Sequence, residues 1–165
     1  MRLRIRPGGS ASFQHPTQDR SRTAVFSTNF SGNRFVRIFP DGWTESAAKF
    51  RPESLAAPFE TLQVLARERH IESLRHAIIV LHSEHETLLS ESQRLDLWDV
   101  WGVPVFEQIW QDTALIAAEC EAHDGLHLHK PMTVSSARGI VRAACACGET
   151  TPRLVVSETA GIVAA

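Results

Sequence analysis

Residues 77–81, Ala77-Ile78-Ile79-Val80-Leu81, form a short unbroken apolar run rich in β-branched side chains. Alternating strands with one wet face carry polar residues at every second position; a run without them belongs to a strand covered on both sides. Working forward, Ser83 and Glu86 stand three apart as a capping box does, and Leu88, Leu95, Trp98 and Trp101 then recur at helical spacing. This predicts a helix from Ser83 until Gly102 ends it as a left-handed residue. Val103 to Trp110 reads as the next strand, with Pro104 tolerated near its start. Strand, helix and strand in so few residues predict a right-handed βαβ unit with parallel strands. Ligands of such sheets bind beyond the carboxyl ends of the strands, here His82 to Glu84 and Gln111 to Thr113.

Working backward, Pro58 opens a predicted helix over 58–70, with Phe59, Leu62, Leu65 and Ala66 on one face. Before it, Arg34 to Phe39 alternates as a short strand closed by Pro40-Asp41-Gly42. The first 40 residues hold seven arginines against Asp19, a local charge of +6 in a chain whose net charge is −2. Their scatter among Gly, Ser, Thr and Gln predicts a basic, flexible leader over 1–33. A single α/β domain is then expected over 34–156 and a tail over 157–165. At 165 residues with 43% hydrophobic and 22% charged side chains, the chain suits one globular core. No stretch approaches the roughly 18 to 20 apolar residues of a membrane helix. Pro7-Gly8-Gly9 stands where a signal peptide places its apolar segment, so a cytoplasmic location is expected.

The chemistry concentrates in the last third. Cys120, His127, Cys145 and Cys147 supply four soft and borderline donors, and with three cysteines in all no paired disulfide framework is implied. Asp124-Gly125 is a hairpin signal between Leu115–Ala122 and Leu126–Val134. A two-residue loop places His129 opposite Cys120, with His127 diagonal; a four-residue loop places His127 opposite Cys120. Both keep Cys120, His127 and His129 on one face, with His123 set aside at the turn. Cys145-Ala146-Cys147-Gly148 must fold back onto that face, with Gly148 allowing the sharp bend. The reading is a structural zinc ion held by Cys120, His127, Cys145 and Cys147, with His129 as the alternative nitrogen ligand. Two other readings stand beside it: three small buried apolar thiols with solvent-facing histidines, or thiol redox chemistry at Cys145 and Cys147 near Arg142 and Arg153. The fold class expected is therefore α/β, a small βαβ-containing sheet followed by a zinc-stapled antiparallel β subdomain.

Glu119-Cys120-Glu121-Ala122-His123-Asp124-Gly125-Leu126-His127, then Cys145-Ala146-Cys147-Gly148 and Pro152-Arg153, resembles a segment of the phenylacetate-CoA ligase and coenzyme F390 synthetase branch of the adenylate-forming, AMP-binding enzymes. The strand, helix and strand from Leu74 to Val105 are similar to the same family's order of elements, so the likeness spans about residues 70 to 156. It implies an equivalent zinc ligand set here. It also implies ATP, CoA and an acyl or aryl acid as substrates, but the residues for those depart from the pattern. No Ser/Thr/Gly-rich phosphate loop is present, since Ser31-Gly32-Asn33-Arg34 has one glycine and different neighbours. The family's Tyr-Gly-x-Ser/Thr-Glu motif falls on Ile109-Trp110-Gln111-Asp112-Thr113, in a chain without tyrosine. A lysine-bearing carboxy-terminal domain finds no room after Pro152, and Lys49 and Lys130 are the only lysines.

The remaining candidates have plain structural explanations. His82-Ser83-Glu84-His85-Glu86 lacks metalloprotease spacing and suits an acidic helix start. Trp98, Trp101 and Trp110 are expected to pack a helix against a sheet. His70 and His76 are expected at the surface, and no Gly-x-Ser-x-Gly elbow is present. The sequence thus points to a non-catalytic zinc-binding module on an acyl-CoA ligase scaffold, acting through a protein partner or a second copy. The alternative is one component of a split ligase. A weaker one is a nucleic-acid-binding zinc module using the arginine leader, with steep salt dependence.

Overall fold

A computed structural model describes residues 10–17, 20–131 and 138–156. In chain order it contains β1 (Ala11–Ser12), β2 (Thr23–Val25), β3 (Phe30–Ser31), β4 (Val36–Ile38), α1 (Glu45–Phe50), β5 (Ser54–Ala57), α2 (Phe59–Glu68), β6 (Ala77–Ser83), α3 (Glu91–Trp101), β7 (Val105–Gln111), β8 (Ala114–Glu119), β9 (Leu126–Leu128), β10 (Arg138–Val141) and β11 (Arg153–Val156). Nine strands form one sheet in the order β10-β11-β9-β8-β7-β6-β5-β2-β4, and β1 and β3 pair separately. The neighbours from β4 to β7 run parallel. From β7 to β10 every pairing is antiparallel.

The unbroken run at 77–81 behaves as its composition demands. Ile78 and Val80 face a core closed by Leu62 and Leu65 of α2 and Leu97 of α3. Ile79 and Leu81 face the other way, against Val25, Phe106, Trp110, Phe13 and Phe30. Each such aliphatic side chain contributes about 1.5–3 kcal/mol when fully buried. β6 and β7 are parallel and joined through α3, as expected of the βαβ unit.

Three expectations are corrected. The leader assigned to 1–33 contains β1, β2 and β3, and β2 lies between β4 and β5 with Ala24 and Val25 fully buried. Short apolar words such as Ala24-Val25-Phe26 suffice because a parallel strand needs only a few residues when both faces are covered. Residues 1–9 and 18–19, and the tail 157–165, lie outside the described residues.

The helix begins at Glu91 and not at Ser83. β6 continues to Ser83, which pairs with Trp110, while the Glu86 carboxylate accepts the Ser83 N–H at 2.8 Å and closes a turn. The capping box belongs to Ser90 and Gln93, whose side chains and backbone N–H groups bond reciprocally at 3.3 and 2.9 Å. Gly102 does end the helix in the left-handed conformation. The apolar stripe is also rearranged: Leu97 is the buried helical residue, whereas Leu95 and Trp98 are 50% and 52% exposed. Trp101 packs partly buried against the helix-side core, and Trp110 is buried against Phe30.

The third correction is the hairpin. Ala117 pairs with Leu128, Ala118 with His127 and Glu119 with Leu126, so residues 120–125 form a six-residue loop and neither expected register holds. Within the loop the His123 N–H bonds the Cys120 carbonyl at 3.0 Å, and His123 Nδ1 lies 3.1 Å from Glu119 Oε1 at its base. The shift from either expected register is an even number of positions, so every side chain keeps its face.

Candidate metal centre

The cluster starts from three backbone segments. Cys120 opens the loop after β8, where the His123 N–H bonds the Cys120 carbonyl at 3.0 Å. His127 sits in the middle of β9 with its ring 2% exposed. Cys145 and Cys147 lie on a closed turn before β11: the Gly148 N–H bonds the Cys145 carbonyl at 2.9 Å, and the Cys145 N–H bonds the Glu149 carbonyl at 2.9 Å. Gly148 has φ +91°, a conformation that a side chain disfavours.

One donor atom from each of Cys120, His127, Cys145 and Cys147 lies within 4.8 Å of the others. Cys120 Sγ and Cys145 Sγ are 3.6 Å apart, and Cys147 Sγ is 3.4 Å from His127 Nε2. A tetrahedral zinc site with Zn–S near 2.3 Å has sulfur–sulfur edges of about 3.8 Å and slightly shorter sulfur–nitrogen edges. These two separations are close to those edges and the other donor pairs lie within 4.8 Å, so the residues fit a four-coordinate divalent ion. His127 points Nε2 inward, while Nδ1 meets Thr151 Oγ1 at 2.8 Å and Glu149 Oε2 at 3.1 Å. An outer partner on the second ring nitrogen fixes the tautomer and orientation that a metal-ligating imidazole needs. His129, the alternative ligand, is exposed and outside the cluster.

The thiols are electrostatically unequal. Burial pushes Cys120 up to about 12. Cys145 is pulled down to about 6, first by the Cys147 N–H directed at its sulfur and then by the neighbouring Cys147, His127 and Cys120 side chains, against the opposing effect of burial. Three sulfurs this close repel one another as thiolates unless a cation lies between them. Arg153, 3% exposed, adds positive charge nearby: it pairs with the Asp124 carboxylate, donates to the Asp124 carbonyl and to the Ala143 carbonyl at 3.4 Å, and links the loop, the turn and β11. The Asp124 hydrogen bond, opposed by burial and supplemented by attraction to Asp124, Cys145 and Cys120, raises its guanidinium pKa.

A buried ionic chain that sequence reasoning missed supports the loop from below. Glu119 accepts from Arg94 Nη1 and Nη2 at 3.1 Å each, from the Glu107 N–H at 3.0 Å, and lies 3.1 Å from His123 Nδ1. Arg94 also donates to Glu107 Oε1 at 2.6 Å, and Glu107 Oε2 lies 2.7 Å from His82 Nε2 while accepting the Leu89 N–H at 2.8 Å. The available signal was Glu107 inside the apolar Val105-Phe106-Glu107-Gln108-Ile109-Trp110 strand, since a carboxylate there must find a buried cation.

At the carboxyl ends of β2, β5, β6 and β7 is a cavity of about 370 Å³ lined by Ser27, Asn29, Pro58, His82, Ser83, Glu86, Trp110 and Asp112, among others. This is where the expected strand-end ligand position falls, at His82–Ser83 and Asp112. His85 and Glu84 stand outside the lining, and His70 and His76 are exposed, as expected. Among the described residues no helix is long and apolar enough to cross a membrane.

Fold and site together define a mixed-sheet α/β protein with a Cys3His cluster able to hold a metal ion. The fold is similar to that of a solved acyl-CoA ligase, 2-hydroxyisobutyryl-CoA ligase in an open conformation in complex with 2-HIB-AMP and CoA, with a TM-score of 0.56 and 15% sequence identity. The match covers 91% of this chain and 44% of that one, so the chain spans less than half the length of this structural relative, and at this identity the likeness is one of fold. No protein-family model matches the chain. No curated protein matches it in sequence.

Proposed function

We propose that Cys120, His127, Cys145 and Cys147 hold a structural zinc ion, and that the chain is a non-catalytic, zinc-stapled module on an acyl-CoA ligase scaffold of the phenylacetate-CoA ligase type, acting through a protein partner. The observation that carries the metal assignment is the convergence of four donor atoms within 4.8 Å of one another, with one sulfur–sulfur edge of 3.6 Å and one sulfur–nitrogen edge of 3.4 Å close to those of a closed zinc tetrahedron. Four protein donors leave no open coordination position for substrate, which favours structure over catalysis. Zinc, when bound, would offset two of the three thiolate charges, with Arg153 near the remainder, and would tie the loop at Cys120, strand β9 and the 145–148 turn into one unit.

The strand-end cavity supports the non-catalytic part. Its charged lining is Glu86 and Asp112, with His82 tied to Glu107. Carboxylates repel a polyphosphate, whereas adenylate formation relies on positive charge and a metal directed at it. The half-exposed Leu95 and Trp98 on α3 favour association with another chain, and they equally favour the second reading, a split acyl-CoA ligase whose phosphate-binding parts come from a partner. Two assays decide. Metal analysis of purified full chain should give about one zinc per chain, and a metal-free protein with unchanged melting in chelator would remove the zinc assignment. ATP-pyrophosphate exchange with phenylacetate and other aryl acids should be absent for the chain alone. Exchange by the isolated chain would overturn the non-catalytic reading, and exchange restored by a partner chain would establish the split ligase.

A further inference from the structure

We propose that the cluster is also a modification site for hydroperoxides, at which Cys120 and Cys145 join in a disulfide and the site gives up its metal. This rests on the zinc reading above. The geometry selects the pair: the two sulfurs are 3.6 Å apart and come from segments 25 residues apart in sequence, and closing to a disulfide requires an approach of only about 1.5 Å. The alternative partners Cys145 and Cys147 are separated by one residue, on a turn whose Cys145 and Gly148 hydrogen bonds are already closed.

Access is asymmetric. Cys120 and Cys147 line a groove of about 630 Å³ that also runs past His15, Thr23 and Gln108, whereas Cys145 is 5% exposed and does not reach it. A small neutral peroxide entering this groove meets Cys120 first among the chosen pair. Cys120, which would be held as a thiolate with zinc bound, attacks one peroxide oxygen, the O–O bond breaks, an S–O bond forms, and the departing hydroxide takes a proton from solvent to become water. The Cys145 thiolate then attacks the Cys120 sulfur; the S–S bond forms, the S–O bond breaks, and the second hydroxide leaves as water. Peroxide gains two electrons and each sulfur loses one. Two of four ligands are consumed, which His127 and Cys147 alone cannot replace in a tetrahedral site. The disulfide joins the same loop and turn that the metal joined, so one link between them succeeds the other.

The test uses full-length protein whose zinc content is measured first. Hydrogen peroxide is then added in the presence of a chromogenic zinc chelator, thiols are counted, and the product is mapped by peptide mass spectrometry before and after dithiothreitol. The expected result is release of the bound zinc in step with loss of two thiols, a Cys120–Cys145 cross-linked peptide, and recovery of zinc binding after reduction. A protein that carries zinc and retains it through millimolar peroxide overturns this inference and leaves the zinc reading standing. Release with sulfinic or sulfonic acids only, or with a Cys145–Cys147 or Cys120–Cys147 bridge, also overturns it. Protein with no zinc at the outset removes both.

Discussion

The parallel half of the sheet and its antiparallel end are held by different physics. Around β5 and β6, Leu55, Ile78, Ile79 and Val80 are fully buried, with apolar side chains on both faces. The antiparallel end has a much smaller core of Leu88, Ile109, Ile116, Ala117, Leu126 and Leu154. Its other contacts are polar: the Arg94 chain, the Arg153 links and the Cys3His cluster. So small an apolar cluster offsets less of the entropy of ordering these strands than the cores on either face of β5 and β6 do for theirs. The cluster able to hold a metal ion thus lies where apolar burial is thin, and the ion-pair chain joins the two regions.

Removing the metal should break this comparison most visibly. In chelator, or in Cys145→Ser, hydrogen exchange at the amides of β9 and β11 should accelerate by roughly 100-fold or more, while β6 and β7 change little. Uniform loss of protection would mean that the two halves are one cooperative unit. Next in size is the core itself. Ile78→Ala should cost about 2–5 kcal/mol in global unfolding measured by denaturant, with zinc stoichiometry unchanged. The joint comes third: Arg94→Met leaves the buried Glu107 and Glu119 without their shared cation and should cost about 3 kcal/mol, with weaker zinc binding measured by competition.

Smaller effects sharpen the picture. Glu149→Ala with Thr151→Ala removes the outer partners of His127 Nδ1 and should weaken zinc binding about 10-fold without unfolding the parallel half. Glu53 supplies a pH test far from the cluster. It accepts the Arg22 N–H at 3.0 Å and pairs with Arg22 and Arg75. The Arg22 N–H lowers its pKa most, burial opposes that, and attraction to Arg22 and Arg75 lowers it further, all relative to the ordinary 4.5. A depressed carboxylate stabilises the fold above its unfolded pKa, and that stability is lost as pH falls from about 4.5 through the lower folded value. Glu53→Gln should therefore lower stability at pH 7 by about 1 kcal/mol and flatten the acid limb of the stability curve below pH 5.

The two regions also differ in how much of them the sequence displays. The 77–81 run announces itself because burial on both faces demands continuous apolar side chains, and Gly102 because the helix end needs a left-handed residue; the strand expected over 103–110 follows from its place after that glycine and is observed over Val105–Gln111. The helix start does not, because Ser83-x-x-Glu86 and Ser90-x-x-Gln93 are the same local signal, and only the pairing of Ser83 with Trp110 chooses between them. β2 was hidden by its brevity and by the arginines around it. In the candidate site, the convergence of Cys120, His127, Cys145 and Cys147 was legible despite a wrong register, since Cys120 and His127 keep one face under any even shift. Glu119, Arg94 and Glu107 were not legible as a group, because their partners lie 12 to 25 residues apart and meet only once α3 crosses the sheet.

Zinc K-edge absorption spectroscopy on the purified full chain tests the central claim most directly. The account predicts a four-coordinate ion with three sulfur ligands at about 2.3 Å and one nitrogen at about 2.0 to 2.1 Å, the sulfur signal falling by one ligand or vanishing in Cys147→Ser. A spectrum of oxygen and nitrogen ligands alone, or a protein that cannot be loaded with zinc, would contradict it.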